Sequence, residues 1–375
     1  MRFTLSSSAL GNRLGLLAKV INSKNSISIL DCFLFEIKEG KLVITASDNA
    51  NMLQLSMELN DCNGEARFCV PNRIILSAVK EVPEQPLTFD FNDDDYSIQM
   101  SYLNGNYKIV SLKADEYPIM PAIAGIANEA QMPAGQMATI VQRTVFASGN
   151  DELRTVMNGV YFDFTDECLN VVASDGHKLV RNKVFSCKTE QPASFILPKK
   201  PAALLRSAIS SDDENAANVK FTDSQAEFVF AEGKLTCRLI EGRYPNYAAV
   251  IPQNNPNVLT IDRKAMLSAL RRVLPFASEN TQLIKLRLTE GNLELSAEDL
   301  DFATSAHEDV AGEYNGMPMN IGLKGSALMD ILNNLTSDSI VMELADPTRS
   351  GIICPTEQPE GEDVLMLIMP MMLND

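Results

Sequence analysis

Residues 173–180, "ASDGHKLV", set Asp175 two positions before His177, one of only two histidines in the chain. A carboxylate beside an imidazole could orient a general base, and a nearby serine or cysteine would then serve as nucleophile. The rest of such a site is missing. There is no GxSxG, no P-loop, no HExxH and no clustered set of carboxylates. An Asp-Gly-His spacing also puts both side chains on one tight turn, with no third group to orient them. His307, in "ATSAHEDV", reads as a strand residue facing solvent. The seven cysteines (Cys32, Cys62, Cys69, Cys168, Cys187, Cys237 and Cys354) are scattered and show no CxxC spacing. Buried free thiols are expected, with neither a disulfide framework nor a zinc site. No catalytic residue, metal ligand or cofactor is therefore expected.

The elements that position this segment repeat along the chain. Asp48 in "VITASDN" precedes Asp175 in "VVASDGH" by 127 positions. Pro71 in "FCVPNR" and Pro198 in "FILPKK" are also 127 apart, as are Tyr117 in "ADEYP" and Tyr244 in "EGRYP". A shared register of this kind marks a duplicated unit. The last third follows more loosely: "LTIDRKAMLSALRRVLPFAS" resembles "QMPAGQMATIVQRTVFAS", and Asp299 falls 124 positions after Asp175. Three domains are expected, over residues 1–129, 130–254 and 255–375. Their joints are the linker-like "PAIAGIANEAQMPAG" and "PQNNPN".

Each unit reads as α+β, with two amphipathic helices on a largely antiparallel sheet. The spacing predicts helices over 7–20, 71–81, 133–147, 198–209, 262–274 and 324–335. Leu10, Leu14, Leu17 and Ile21 mark the apolar stripe of the first, and Ile74, Ile75, Ala78 and Val79 that of the second. Tight turns are expected at Glu39-Gly40 and at Asn104-Gly105. In the turn segment, Asp175 matches Asp48 and so reads as a turn-stabilising carboxylate, while "TASDNANM" has no histidine, Asn49 standing at the matching place.

A net charge of −17 argues at first against a nucleic-acid partner. Its distribution argues the other way. The six predicted helices together carry +10, leaving −27 for the remainder. Lys19, Lys199, Arg206 and Arg272 point away from the apolar stripes of their helices at 100° per residue. Repeated helices with basic outer faces could meet phosphates without reading bases. No stretch reaches the roughly 18–20 apolar residues of a membrane span, and "MRFTLSSSALGNRLG" lacks a signal-peptide core. A cytoplasmic protein is expected, with no membrane partner.

"LRTVMNGVYF" (153–162), "ASDGHKLV" (173–180), "EGRYPNYAAVIP" (241–252) and "IMPMML" (368–373), in this order, resemble the bacterial sliding-clamp family, the beta subunits of DNA polymerase III. The opening "MRFTL", the "KNSISIL" segment and the threefold repeat extend the resemblance over the whole chain. It implies a head-to-tail homodimer whose six domains close into a ring around double-stranded DNA. It also implies a processivity factor, not an enzyme, that tethers DNA polymerase III alpha, other polymerases, clamp loader subunits and repair proteins carrying clamp-binding motifs.

For DNA contact the resemblance points to Lys24, Arg73, Lys199 and Lys200, to which the helix charges add Arg206 and Arg272. For a peptide-binding cleft it points to Arg154 at the rim. The walls would be Met157, Ser174, Gly176, His177, Lys178, Leu179, Pro245, Val250, Ile368, Met369, Pro370, Met371 and Leu373. Methionine side chains re-pack cheaply around different peptides. Ala249 and Met372 stand where many members carry arginine, and Ala327 where an aromatic residue flanks the cleft, so a more apolar cleft is expected here. The competing reading is a repeat scaffold that binds only proteins, for which +10 segregated onto the helices would have no purpose.

Overall fold

The computed structural model describes residues 1–123, 127–189 and 191–373. Six α-helices stand among these residues: α1 (Ser7–Leu17), α2 (Asn72–Lys80), α3 (Ala134–Val145), α4 (Lys199–Ala208), α5 (Arg263–Val273) and α6 (Gly325–Asn333). All six fall inside the predicted spans. Side chains that accept from backbone amides start two of them. Ser6 accepts from the Ala9 amide at 3.1 Å and Asp262 from the Ala265 amide at 2.6 Å. Leu10, Leu14 and Leu17 are buried on one face of α1, and Met266, Leu267, Leu270 and Val273 on one face of α5. α1 stops short of residue 20 because the Lys19 and Val20 amides bond three residues back, to Leu16 and Leu17. In α2, Ile75 and Val79 are buried but Ile74 is 57% exposed, so the apolar stripe is narrower than the sequence indicates.

Packing divides the chain into two compact units, Met1–Ala138 with Lys200–Leu239, and Thr139–Lys199 with Ile240–Asp375. The first unit holds a five-stranded and a nine-stranded antiparallel sheet. In the nine-stranded sheet Asn51–Glu58 pairs with Gly233–Arg238, and a Cβ on Gly233 would lie 2.1 Å from the Gln54 carbonyl. The core of this unit includes Phe3 stacked on Phe89 at 4.9 Å, and Phe68 on Phe91 at 4.3 Å. Of the first predicted joint, residues 124–126 lie outside the described residues. Asn128–Pro133 is a strand paired with Ala216–Phe221, and α3 follows directly.

The second unit is built on one thirteen-stranded sheet. Within it Lys178–Val184 pairs with Leu169–Ser174 on one side and with Glu362–Ile368 on the other. Lys178 lies opposite Ile368, and Val184 opposite Glu362. That register delivers the "GHKLV" turn to the point where "IMPMML" leaves the sheet.

The Glu39-Gly40 turn has positive φ at both residues, 52° and 75°. The other predicted turn is displaced by one residue. Tyr102 pairs with Gly105, so Leu103 and Asn104 form the loop, and neither has a positive φ. A Cβ at Gly105 would lie 2.8 Å from the Tyr102 hydroxyl and 2.9 Å from the ring carbon that bears it, so the glycine leaves room for that side chain.

Candidate functional site

The Asp175 carboxylate closes a turn. One oxygen accepts from the His177 amide at 2.8 Å and the Lys178 amide at 2.9 Å, and the other holds the Lys178 ammonium at 2.6 Å. Burial alone would raise its pKa, but the Lys178 ammonium and these amides outweigh it and hold the carboxyl below its usual value. All three repeats use this device. Asp48 accepts from the amides of Ala50 and Asn51, and Asp299 from those of Asp301 and Phe302. The structural register corrects one sequence match: Asn49 (φ 77°) stands opposite Gly176 (φ 91°), so the counterpart of His177 is Ala50. His177 is exposed, as is His307 on its strand. Among the described residues no cluster of three or more His, Cys, Asp or Glu could hold a metal, and all seven cysteines are free thiols.

Most of the expected cleft residues converge in the second unit. The Met369 amide donates to the His177 carbonyl at 2.8 Å, fastening the chain end to the turn. Arg154 lies over Gly176, its Nη1 3.1 Å from where a Cβ would stand, and is paired with Asp151 at 2.8 Å. Met157 is buried, and its carbonyl accepts from the Gly149 amide at 2.7 Å beside Asp175. Leu179 packs with Val172, Ile196, Tyr244, Ile352, Leu365 and Leu367, with Val156, Tyr247 and Ile251 against them. Pro245 and Val250 sit on the loop that this cluster anchors. Past Ile368, Pro370 and Met371 pair with Leu323 and Gly322, and Leu373 reaches over Gly322. Exposed apolar side chains remain around this floor: Val250 at 53%, Met369 at 41% and Met372 at 81%. Lys178 is mostly buried on Asp175, so it offers backbone and alkyl chain to the site more than charge.

Several contributors escaped the sequence reading. Tyr244 was visible only as a repeat marker; its ring stacks on Tyr161 at 4.7 Å and forms part of the floor. Gly322 gave no signal, because what it accommodates lies 49 residues away at Met371. A recess of about 480 Å³ beside Met369 is lined by Pro252, Gln253, Asn254, Thr348, Arg349 and Ser350. Ala327 is buried in α6, while Ala249 and Met372 are exposed.

The basic residues divide by what they hold. Lys24, Arg73 and Arg206 are exposed, and their side chains make no hydrogen bond or ion pair among the described residues. Lys199 donates to Asn150 Oδ1 at 2.7 Å; burial, with Lys178 nearby, lowers its pKa. Arg272 is bonded by Nε and Nη2 to the two Glu308 oxygens. Lys200 is held by Asp48 at 2.5 Å. Arg143, one of the charges in the helix sum, is buried against Glu362 at 2.7 Å. The outward positive charge is therefore smaller than the helix count indicates.

Repeated two-helix, antiparallel-sheet units, with an exposed apolar ledge where a catalytic pair was conceivable, make this a clamp-fold protein. Models of the DNA polymerase III beta subunit match it in series, the N-terminal domain at residues 1–121, the central domain at 131–246 and the C-terminal domain at 248–372. The chain belongs to the DNA polymerase III beta subunit family; its function is that of a sliding clamp, a non-catalytic processivity factor. The beta sliding clamp of Caulobacter vibrioides is 26% identical over 385 residues, covering 98% of this chain and 99% of the relative. That of Synechococcus elongatus is 26% identical over 384 residues and covers 100% of both. Among solved structures, a sliding clamp from Pseudomonas aeruginosa bound to griselimycin matches with a TM-score of 0.91 at 22% identity. The beta subunit of Thermotoga maritima matches at 0.87 and 25% identity, and both matches cover 100% of each chain.

Proposed function

We propose that two copies of this chain, with domains over 1–129, 130–254 and 255–375, close head to tail around duplex DNA in the cytoplasm. Lys24, Arg73 and Arg206 meet phosphates directly, and Lys199, Lys200 and Arg272 add basic charge while engaged with their own partners. Contacts to phosphate alone carry no sequence information and allow sliding. The cleft formed by Arg154, Met157, Ser174, Gly176, His177, Lys178, Leu179, Pro245, Val250, Ile368, Met369, Pro370, Met371 and Leu373 takes short apolar peptide motifs. Those motifs belong to DNA polymerase III alpha, other polymerases, clamp loader subunits and repair proteins. The observation that carries this reading is the apolar ledge, with Val250, Met369 and Met372 exposed on a floor that includes Leu179.

Loading the protein onto a nicked circular duplex with its clamp loader, and then linearising the circle, tests encirclement. Release on linearisation is expected, and retention would instead favour a scaffold that holds DNA by its surface. For the cleft, removal of Met369–Asp375 should abolish binding of a polymerase-derived peptide while the dimer persists. Unchanged peptide affinity would remove this surface as the docking site.

A further inference from the structure

Lys200, the second residue of α4, looks from its position like a phosphate contact. Its ammonium is already surrounded. It donates to the Val20 carbonyl at 2.6 Å, to Asn22 Oδ1 at 2.7 Å and to Asp48 Oδ2 at 2.5 Å. An ammonium has three protons to give, and these partners use all of them. The Asp48 side chain is 5% exposed, and its other oxygen closes the turn to Ala50 and Asn51. Burial alone would raise the Asp48 carboxyl; Lys200 and Asn51 outweigh it and keep it below its usual value. A phosphate that captured Lys200 would leave this carboxylate buried and unpaired, which is strongly unfavourable.

These bonds hold the segment that follows α1. Val20 and Asn22 lie on its near side. On its far side Asn25 donates to Asp31 Oδ1 at 2.8 Å, and Asn72 donates to the Asp31 carbonyl at 2.5 Å. Lys24 stands between these anchors, exposed and without a partner among the described residues. Lys19, just before them, donates to Ser207 Oγ on α4 at 3.1 Å. In the second repeat the spare oxygen of Asp175 takes Lys178 from its own turn instead of a lysine from a helix.

We infer that Lys200 is a positioning residue, which with Asp48 latches the loop of residues 18–25 and presents Lys24 to the DNA backbone without itself contacting phosphate. The presenting role rests on the DNA contact proposed for Lys24; the latch does not.

Two measurements on the full-length protein separate these. Hydrogen–deuterium exchange of peptides spanning 18–26 is expected to quicken tenfold or more in both Lys200→Met and Asp48→Asn, with α5 unchanged. Salt titration of binding to a labelled linear duplex is expected to show Lys24→Ala lowering the log–log slope by about 0.9 per contact. The same change should add nothing in a Lys200→Met background. The latch is overturned if Asp48→Asn leaves exchange at 18–26 unchanged and tightens duplex binding, the result of freeing Lys200 for phosphate. A Lys24→Ala slope equal to wild type overturns the presenting role alone, and exchange still decides the latch.

Discussion

Asp175 shows how one side chain acquires its role from its neighbours. Its oxygens accept from two amides and one ammonium of its own turn, while the His177 ring stands exposed. Asp175→Asn keeps the shape but loses the charge. A cost of about 1–3 kcal/mol is expected in chemical denaturation, since it weakens charge-assisted hydrogen bonds in a half-buried turn. The pH dependence carries a definite sign. The folded carboxyl sits below its usual 3.8, so its stabilisation is complete above that value and is lost as pH falls through the lower folded value. Wild type should therefore lose stability below about pH 4 in a component that Asp175→Asn lacks. A stability-versus-pH curve identical in the two proteins would contradict this assignment. The carboxylate's turn role was legible because the sequence repeats it at Asp48 and Asp299. The partner of Lys178 was not, because nothing in the spelling says whether a lysine folds back or reaches out.

The strands Lys178–Val184 and Glu362–Ile368 carry the apolar ledge, and a buried ion pair ties them to α3. Arg143 donates to Glu362 at 2.7 Å and to Asn182 at 3.1 Å, and Asn182 donates to Thr144 Oγ1 at 2.6 Å. Arg143→Met removes the buried cation that faces Glu362 and should cost about 3–5 kcal/mol, whereas Arg143→Met with Glu362→Met should recover most of the loss. Urea denaturation of the three proteins measures both. At the other end of the ledge, a Cβ on Gly322 would lie 2.6 Å from the Met371 carbonyl and 2.9 Å from Leu373. Gly322→Ala should push the Pro370–Met371 strand off its partner. Peptide affinity is then expected to fall about tenfold, or ~1.4 kcal/mol, by fluorescence anisotropy, with little change in melting temperature. Helices were legible from sequence because Leu10, Leu14 and Leu17 advertise a local period. The hairpin at Tyr102–Gly105 was misplaced by one residue because Asn-Gly is also what a crowded strand start looks like when tyrosine faces it. The burial of Arg143 was hidden because the carboxylate that pairs with it lies 219 residues away, and the tail's dependence on Gly322 was hidden for the same reason.

For the whole molecule, a net charge of −17 must coexist with attraction to DNA. Topological retention would allow both, because an encircling dimer needs only weak contacts. Solution mass at micromolar concentration should be about twice 41.2 kDa; a monomer under those conditions would leave no ring to slide. The sharper test concerns which charges the DNA feels. Arg206 has no side-chain partner among the described residues, whereas Arg272 already holds Glu308 through two nitrogens, and that bond keeps the Glu308 carboxyl below its usual value. Counterion release counts phosphates newly neutralised, so a cation whose charge is cancelled within the protein adds little to it. Arg206→Ala should therefore reduce the salt slope of duplex binding by about 0.9 per contact, while Arg272→Ala should leave it nearly unchanged. Glu308→Gln, by releasing the guanidinium, should steepen the slope. Equal losses for the two arginine variants would mean that Arg272 leaves Glu308 when DNA arrives, and that the basic surface is assembled by the duplex rather than presented to it.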